Sequence, residues 1–187
     1  MNADNIERPS KGSLRDIKRH ITTHDESGKA VVHSSTEGTW TSFDNDNMAF
    51  NLLYTTSKFP TSLNEEQDII AHEKLIASRI PRLVNPNGTV LRMVDTAPGV
   101  ECIMHRTQSL DYGIVISGSI EMKLDGGSCT LMLPGDVAIQ RATMHSWRNP
   151  SQTEWARMVF CLQECEEVKV GDKVLKEDLS GGSNEKN

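Results

Sequence analysis

The chain has 187 residues, 36% of them hydrophobic, and a mean hydropathy of -0.46. That length supports one core with a surplus for polar loops and tails. The net charge is -6 with lysines and arginines scattered rather than striped, which excludes a nucleic-acid footprint, and no run approaches the roughly 18 apolar residues of a membrane helix.

Residues 1–13 are polar, hold Pro9 and Gly12, and are expected to form a disordered tail without an apolar signal region. Ile17 to Thr23, a turn over Asp25-Glu26-Ser27-Gly28 and a return over Lys29 to His33 predict a hairpin arm that can pair with a sheet edge of its own chain or of a partner. Residues 38–47 read as a polar loop carrying Trp40, a candidate lid residue that would touch substrate. Met48 to Thr56 reads as a strand. Ser62-Leu63-Asn64-Glu65 has the form of a capping box, opening a helix with Ile69, Ile70, Leu75, Ile76 and Ile80 on an apolar stripe and Pro81 at its end. This insertion is expected to cover something, with the barrel mouth as the candidate. Asn85-Pro86-Asn87-Gly88 is a turn, followed by a strand from Thr89 to Val94.

Two runs carry the chemistry. In the first, from Pro98 to Gly118, His105 and Thr107 stand two apart and share one face of a strand, with Asp111 four residues on. Residues 119–133 alternate about Asp125-Gly126-Gly127, a hairpin signal. The second run, from Leu133 to Asn149, holds Gly135, Gln140, Ala142, His145 and Asn149. Trp155 to Leu162 predicts a final strand, Glu166 to Asp178 a short hairpin about Gly171-Asp172, and Ser180 to Asn187 a tail. Gly99, Gly118 and Gly135 lie where turns are needed. Gly113 serves no turn and is read as permitting close packing.

These runs resemble the two cupin motifs. Gly99, His105, Thr107, Asp111 and Gly118 keep every spacing of the first, with Thr107 and Asp111 in place of a histidine and a glutamate. Gly135, His145 and Asn149 fit the second, with Gln140 and Ala142 standing for its proline and glycine and one residue fewer before Gln140. The chain as a whole is similar to the small single-domain cupins of fungal polyketide and other secondary-metabolite gene clusters. The resemblance implies an all-β fold, a double-stranded β-helix or cupin jelly-roll barrel, with an N-terminal arm and one or two short helices. It places a single cupin domain over 14–165, with its motif core at 98–149, and a C-terminal extension and tail over 166–187.

The resemblance also implies a divalent metal, iron, zinc or manganese, on His105, Asp111 and His145, two imidazoles and a carboxylate as in the facial triad of non-haem iron. The metal-free alternative makes His105 or His145 a proton shuttle and Asp111 its orienter. A third possibility is that His105, Thr107, Asp111 and His145 satisfy one another in an inert network. Substrate contacts are expected from Thr107, Gln140, Met144, Trp147, Trp40 and Arg92. Met104 and Met158 are further candidates for an apolar wall. Arg92 and Arg157 are either anion anchors or a solvated strand face. Tyr112 points outward by parity, and His20, His24, His33 and His72 read as surface or arm residues. Cys102, Cys129, Cys161 and Cys165 lack metal-ribbon spacing and read as reduced thiols of a cytoplasmic protein, Cys102 and Cys161 as small core residues on strands.

The expected function is a small-molecule tailoring enzyme of secondary metabolism, acting on an aromatic or polyketide-derived substrate. Isomerisation or dehydration by proton transfer is the leading reaction, with or without a divalent metal, at a rate that rises through the titration of free imidazole near pH 6 to 7. The alternatives are an iron-dependent oxidoreductase or dioxygenase acting on an aromatic substrate and a non-catalytic ligand-binding barrel. No glycine-rich nucleotide fingerprint is present, so no nucleotide cofactor is expected. The arm and its relatives imply a homodimer.

Overall fold

The computed structural model describes residues 14–78 and 83–181. The expected tail over 1–13, the end of the predicted helix at Ile80 and Pro81, and residues 182–187 lie outside the described residues.

The arm is a hairpin of β1 (Arg19–His24) and β2 (Ala30–Thr36), closed by the Asp25 carboxylate, which accepts the Ser27 and Lys29 amides. The chain then forms β3 (Trp40–Phe43) and β4 (Met48–Thr56). β3 corrects the expectation of a loop. Asp44, Asn45 and Asp46 all take positive φ, which these short polar residues tolerate, so the chain turns tightly enough to pair 40–43 with β4.

The capping box does not form. Glu65 and Glu66 adopt the left-handed conformation, a short 3-10 turn occupies Asn64–Glu66, and α1 runs only over Gln67–Ala77 without a side-chain cap. It does not cover the barrel mouth but lies against β4, through Tyr54 on Asp68 and Thr55 on His72. Ile69 is buried on that side, whereas Ile70 and Ile76 of the predicted stripe are exposed.

The barrel proper comprises β5 (Thr89–Thr96), β6 (Ser109–Ser117), β7 (Ile120–Leu124), β8 (Cys129–Met132), β9 (Val137–Arg141), β10 (His145–Arg148) and β11 (Ala156–Glu164). The C-terminal hairpin of β12 (Val168–Val170) and β13 (Lys173–Leu175) follows. One antiparallel sheet has the order β3-β4-β5-β11-β6-β9, and the facing sheet β10-β7-β8. Residues 100–106 run along β10 as a further rung, with His105 and His145 exchanging both backbone hydrogen bonds. The fold is therefore all-β, a double-stranded β-helix. Among the described residues no helix is long and apolar enough to cross a membrane.

Period-two alternation gives the larger sheet two buried faces. Inward, Val115, Ala138 and Met158 meet Ile120, Met132 and Trp147 of the facing sheet. Outward, Ala49 and Leu53 pack with Ile17 and Trp40 under the arm. Arg157, read as an anion anchor or a solvated residue, is buried on this outer face. Its guanidinium donates two hydrogen bonds of 2.6 Å to Asp95 and one to the Arg15 carbonyl, and it lies 5.3 Å from the Trp40 ring centroid. Asn149 is fully buried, its amide donating to the Thr96, Ala97 and Glu154 carbonyls, so this motif residue closes the barrel end rather than serving a site.

Candidate active site

Between the sheets a cavity of about 110 Å³ opens to solvent. Its walls are mostly apolar, including Phe50, Val94, Trp147, Met158 and Phe160, and its polar members are Arg92, Thr96, Cys102, His105, Thr107, Asp111 and His145.

The histidines are held by their own strands. Nδ1 of His105 lies 2.8 Å from the Ile103 carbonyl and Nδ1 of His145 lies 2.9 Å from that of Thr143. A carbonyl only accepts, so each Nδ1 carries the proton, and a neutral ring keeps its basic lone pair on Nε2. The ring centroids are 4.3 Å apart. Burial pulls the His145 imidazole down to about 4, with His105 acting the same way and the Thr143 carbonyl against it. His145 is therefore neutral at neutral pH, with an unprotonated Nε2.

Asp111 reaches the cavity from β6 on the opposite sheet. Burial pushes its carboxyl above the usual carboxylate range, opposed by the nearby Ser109 and Thr107 hydroxyls and by the charge of Arg92. Thr107 donates to Oδ2 at 3.3 Å and itself receives the Ser109 hydroxyl at 2.9 Å, while Oδ1 is buried without a hydrogen-bond partner. Ser109 escaped sequence reasoning, although its inward parity with Thr107 and Asp111 is the signal that could have found it. Arg92 is half-buried; burial lowers its guanidinium to about 10, opposed by Asp111, and it remains a cation at neutral pH. Its Nη2 also donates to the Leu83 carbonyl at 3.3 Å.

Of the expected contacts, Thr107, Trp147 and Arg92 line the cavity with His105, Asp111 and His145, whereas Trp40, Met144 and Gln140 do not. Trp40 belongs to the outer core because it starts β3, beneath the arm. Met144 precedes His145 by one residue and so does not share its inward direction. Gln140 is buried opposite Asp111, but its amide donates to Thr143. Cys102 lines the cavity from the rung beside β10 rather than from a strand, and burial raises its thiol to about 11, so it is no thiolate nucleophile.

The orphaned Asp111 Oδ1 is an atom that a cation could satisfy. Yet His105 and His145 stand on the facing sheet, and among the described residues no three histidine, cysteine, aspartate or glutamate side chains are placed to hold a metal ion. The expected triad is not assembled as a ligand set. Thr107 replaces the third imidazole, and Asp111 is one C–C bond shorter than the motif's glutamate.

No family model matches the chain. It is 40% identical over 163 residues to phomopsin biosynthesis cluster protein D of Diaporthe leptostromiformis, covering 87% of this chain and 86% of that protein. It is 39% identical over 173 residues to the cupin-domain-containing oxidoreductase fogC of Aspergillus ruber, covering 91% of this chain and 83% of that protein. Among solved structures it is similar to the polyketide cyclase RemF from Streptomyces resistomycificus over 71% of this chain and 70% of that one, at 14% identity and a TM-score of 0.42.

Proposed function

The chain belongs to the cupin-domain proteins of fungal biosynthesis clusters, and on that premise we propose that it isomerises or dehydrates an aromatic or polyketide-derived small molecule by proton transfer. The observation that carries this reading is a neutral, Nδ1-anchored His145 in the same apolar cavity as the Arg92 cation. His145 Nε2 takes a proton from carbon next to a substrate carbonyl. The electron pair moves onto the carbonyl oxygen, where the Arg92 guanidinium stabilises the developing charge in a partly dry site. Return of a proton at a second carbon gives the isomer; loss of a β-hydroxyl as water gives the dehydrated product. Asp111 orients the substrate through Oδ1, and His105, ring to ring with His145, serves as the second shuttle.

The test uses ortho-hydroxyacetophenone in deuterium oxide, with exchange of its methyl protons followed by NMR. Wild-type protein should accelerate exchange, and His145→Ala should lose about a hundredfold or more of that rate. Equal rates for the two proteins would reject the reading, and saturable binding without exchange would support a binding module.

A second reading rests on the word oxidoreductase in the names of fogC and of srdD from Neurospora crassa, which is 39% identical over 171 residues. Iron bound by purified protein, with oxygen consumed in the presence of an aromatic substrate, would favour it. The cytosol is the proposed compartment, supported by four free thiols.

A further inference from the structure

We propose that Gly113 sets the specificity of the cavity, and that the substrate it admits is an aromatic of more than one ring bearing a hydrogen-bond donor. This rests on the reading of the cavity as a substrate site. Gly113 lies in the middle of β6, outside the positive-φ glycines, so no turn requires it. A glycine there weakens the strand. What it provides is space. In register it stands opposite Phe160 of β11, and a Cβ built on it would come 2.8 Å from Phe160 Cε1, 3.2 Å from Cδ1 and 3.4 Å from Met158 Cε. The Phe160 ring thus rests on the bare backbone of β6. Any side chain at 113 pushes the tip of that ring off the sheet and into the cavity that Phe160 and Met158 line.

The space so opened has a particular shape. Aromatic rings follow one another from His105 to His145, Trp147 and Phe160, with centroids 4.3, 5.5 and 5.5 Å apart and planes inclined by 49°, 72° and 62°. A one-ring substrate needs a single step of this row, whereas a two-ring substrate reaches further along it and needs the room that Phe160 leaves by seating on Gly113. The donor requirement comes from Asp111, two residues along the same inward face. Its Oδ1 is buried and unpartnered, and the residue is 4% exposed. A phenolic hydroxyl would satisfy that oxygen, which an apolar ring alone would leave stranded.

The experiment measures binding by calorimetry with two probes of the same chemistry, one-ring ortho-hydroxyacetophenone and two-ring acetylnaphthol. Wild-type protein should bind both. Gly113→Ala should weaken acetylnaphthol by about tenfold or more while leaving the one-ring probe within about threefold. Gly113→Ala combined with Phe160→Leu should restore two-ring binding, which a merely structural role for Gly113 would not produce. If the alanine variant does not fold, Phe160→Trp fills the same space from the opposite strand and should show the same size selection. The proposal is overturned if both probes weaken alike, if neither changes, or if wild-type protein binds neither. Calorimetry needs no turnover, so intact size selection without proton exchange would reject the proton-transfer reading and leave this one standing.

Discussion

At the scale of single residues, burial decides the chemistry. Free imidazole places the pH dependence near 6 to 7, but the buried His145 is held to about 4. Its active form is the unprotonated one, so the rate of proton exchange should rise as pH passes upward through about 4 and be flat at 6 to 7; a pH–rate profile checks this. Asp111→Asn keeps the volume and removes the carboxylate, so the fold should persist while the rate falls about tenfold or more, measured by the same exchange assay. Ala142, which stands for a motif glycine, has a φ of 49° and is buried. A left-handed alanine is strained, so Ala142→Gly should raise stability by about 1 kcal/mol in urea unfolding.

Among the elements, the arm and α1 depend on a buried histidine that the sequence places on the surface. His72 is 1% exposed. Arg19 Nη1 lies 3.0 Å from its Nε2 and can only donate, so Nε2 accepts and Nδ1–H donates to Thr55 Oγ1, also at 3.0 Å. Burial, then Arg19, lower its imidazole to about 4, with Asp68 opposing. Because the folded value lies below the unfolded one, the neutral ring's stabilisation is whole above about pH 6.5. It declines as pH falls toward 4, by no more than about 3 kcal/mol. The protection factors of the amides in β1 and α1, corrected for the intrinsic exchange rate, should accordingly fall at pH 5 relative to pH 7. His72→Gln should flatten that dependence.

For the whole molecule the expectation is a homodimer. Among the described residues β1 and β2 pair only with each other, and nearly all of β2 is exposed, including Val32 at 60%. An isolated hairpin is marginal in water. At the other end of the larger sheet, β9 pairs with β6 and, among the described residues, with no strand on its outer side, and it shows Val137 and Ile139 at 54% and 53%. Apolar edges are usually covered, and a second copy supplies a hairpin able to do so. Sedimentation at micromolar concentration should show a dimer, and Val32→Lys with Ile139→Lys should shift it toward monomer. A wild-type monomer would count against the expectation.

Local rules carried a large part of this protein. The run Met48–Thr56 read as a strand and is β4, turn residues marked the hairpins at Asp25 and Gly126, and the residues of the two motifs, His105, Asp111 and His145, meet in one cavity. These features depend on neighbours a few residues apart, so the order of residues is enough to specify them. Tertiary structure decided which face each long side chain serves. Asp95 and Arg157 meet across 62 residues and Arg19 and His72 across 53, burying Arg157, which read as an anion anchor or a solvated face, and His72, which read as a surface or arm residue. The same holds at the site. Spacing cannot show that Asp111 stands on the sheet opposite the histidines, nor that Gly113 is a seat for Phe160, because both follow from how two sheets close on each other.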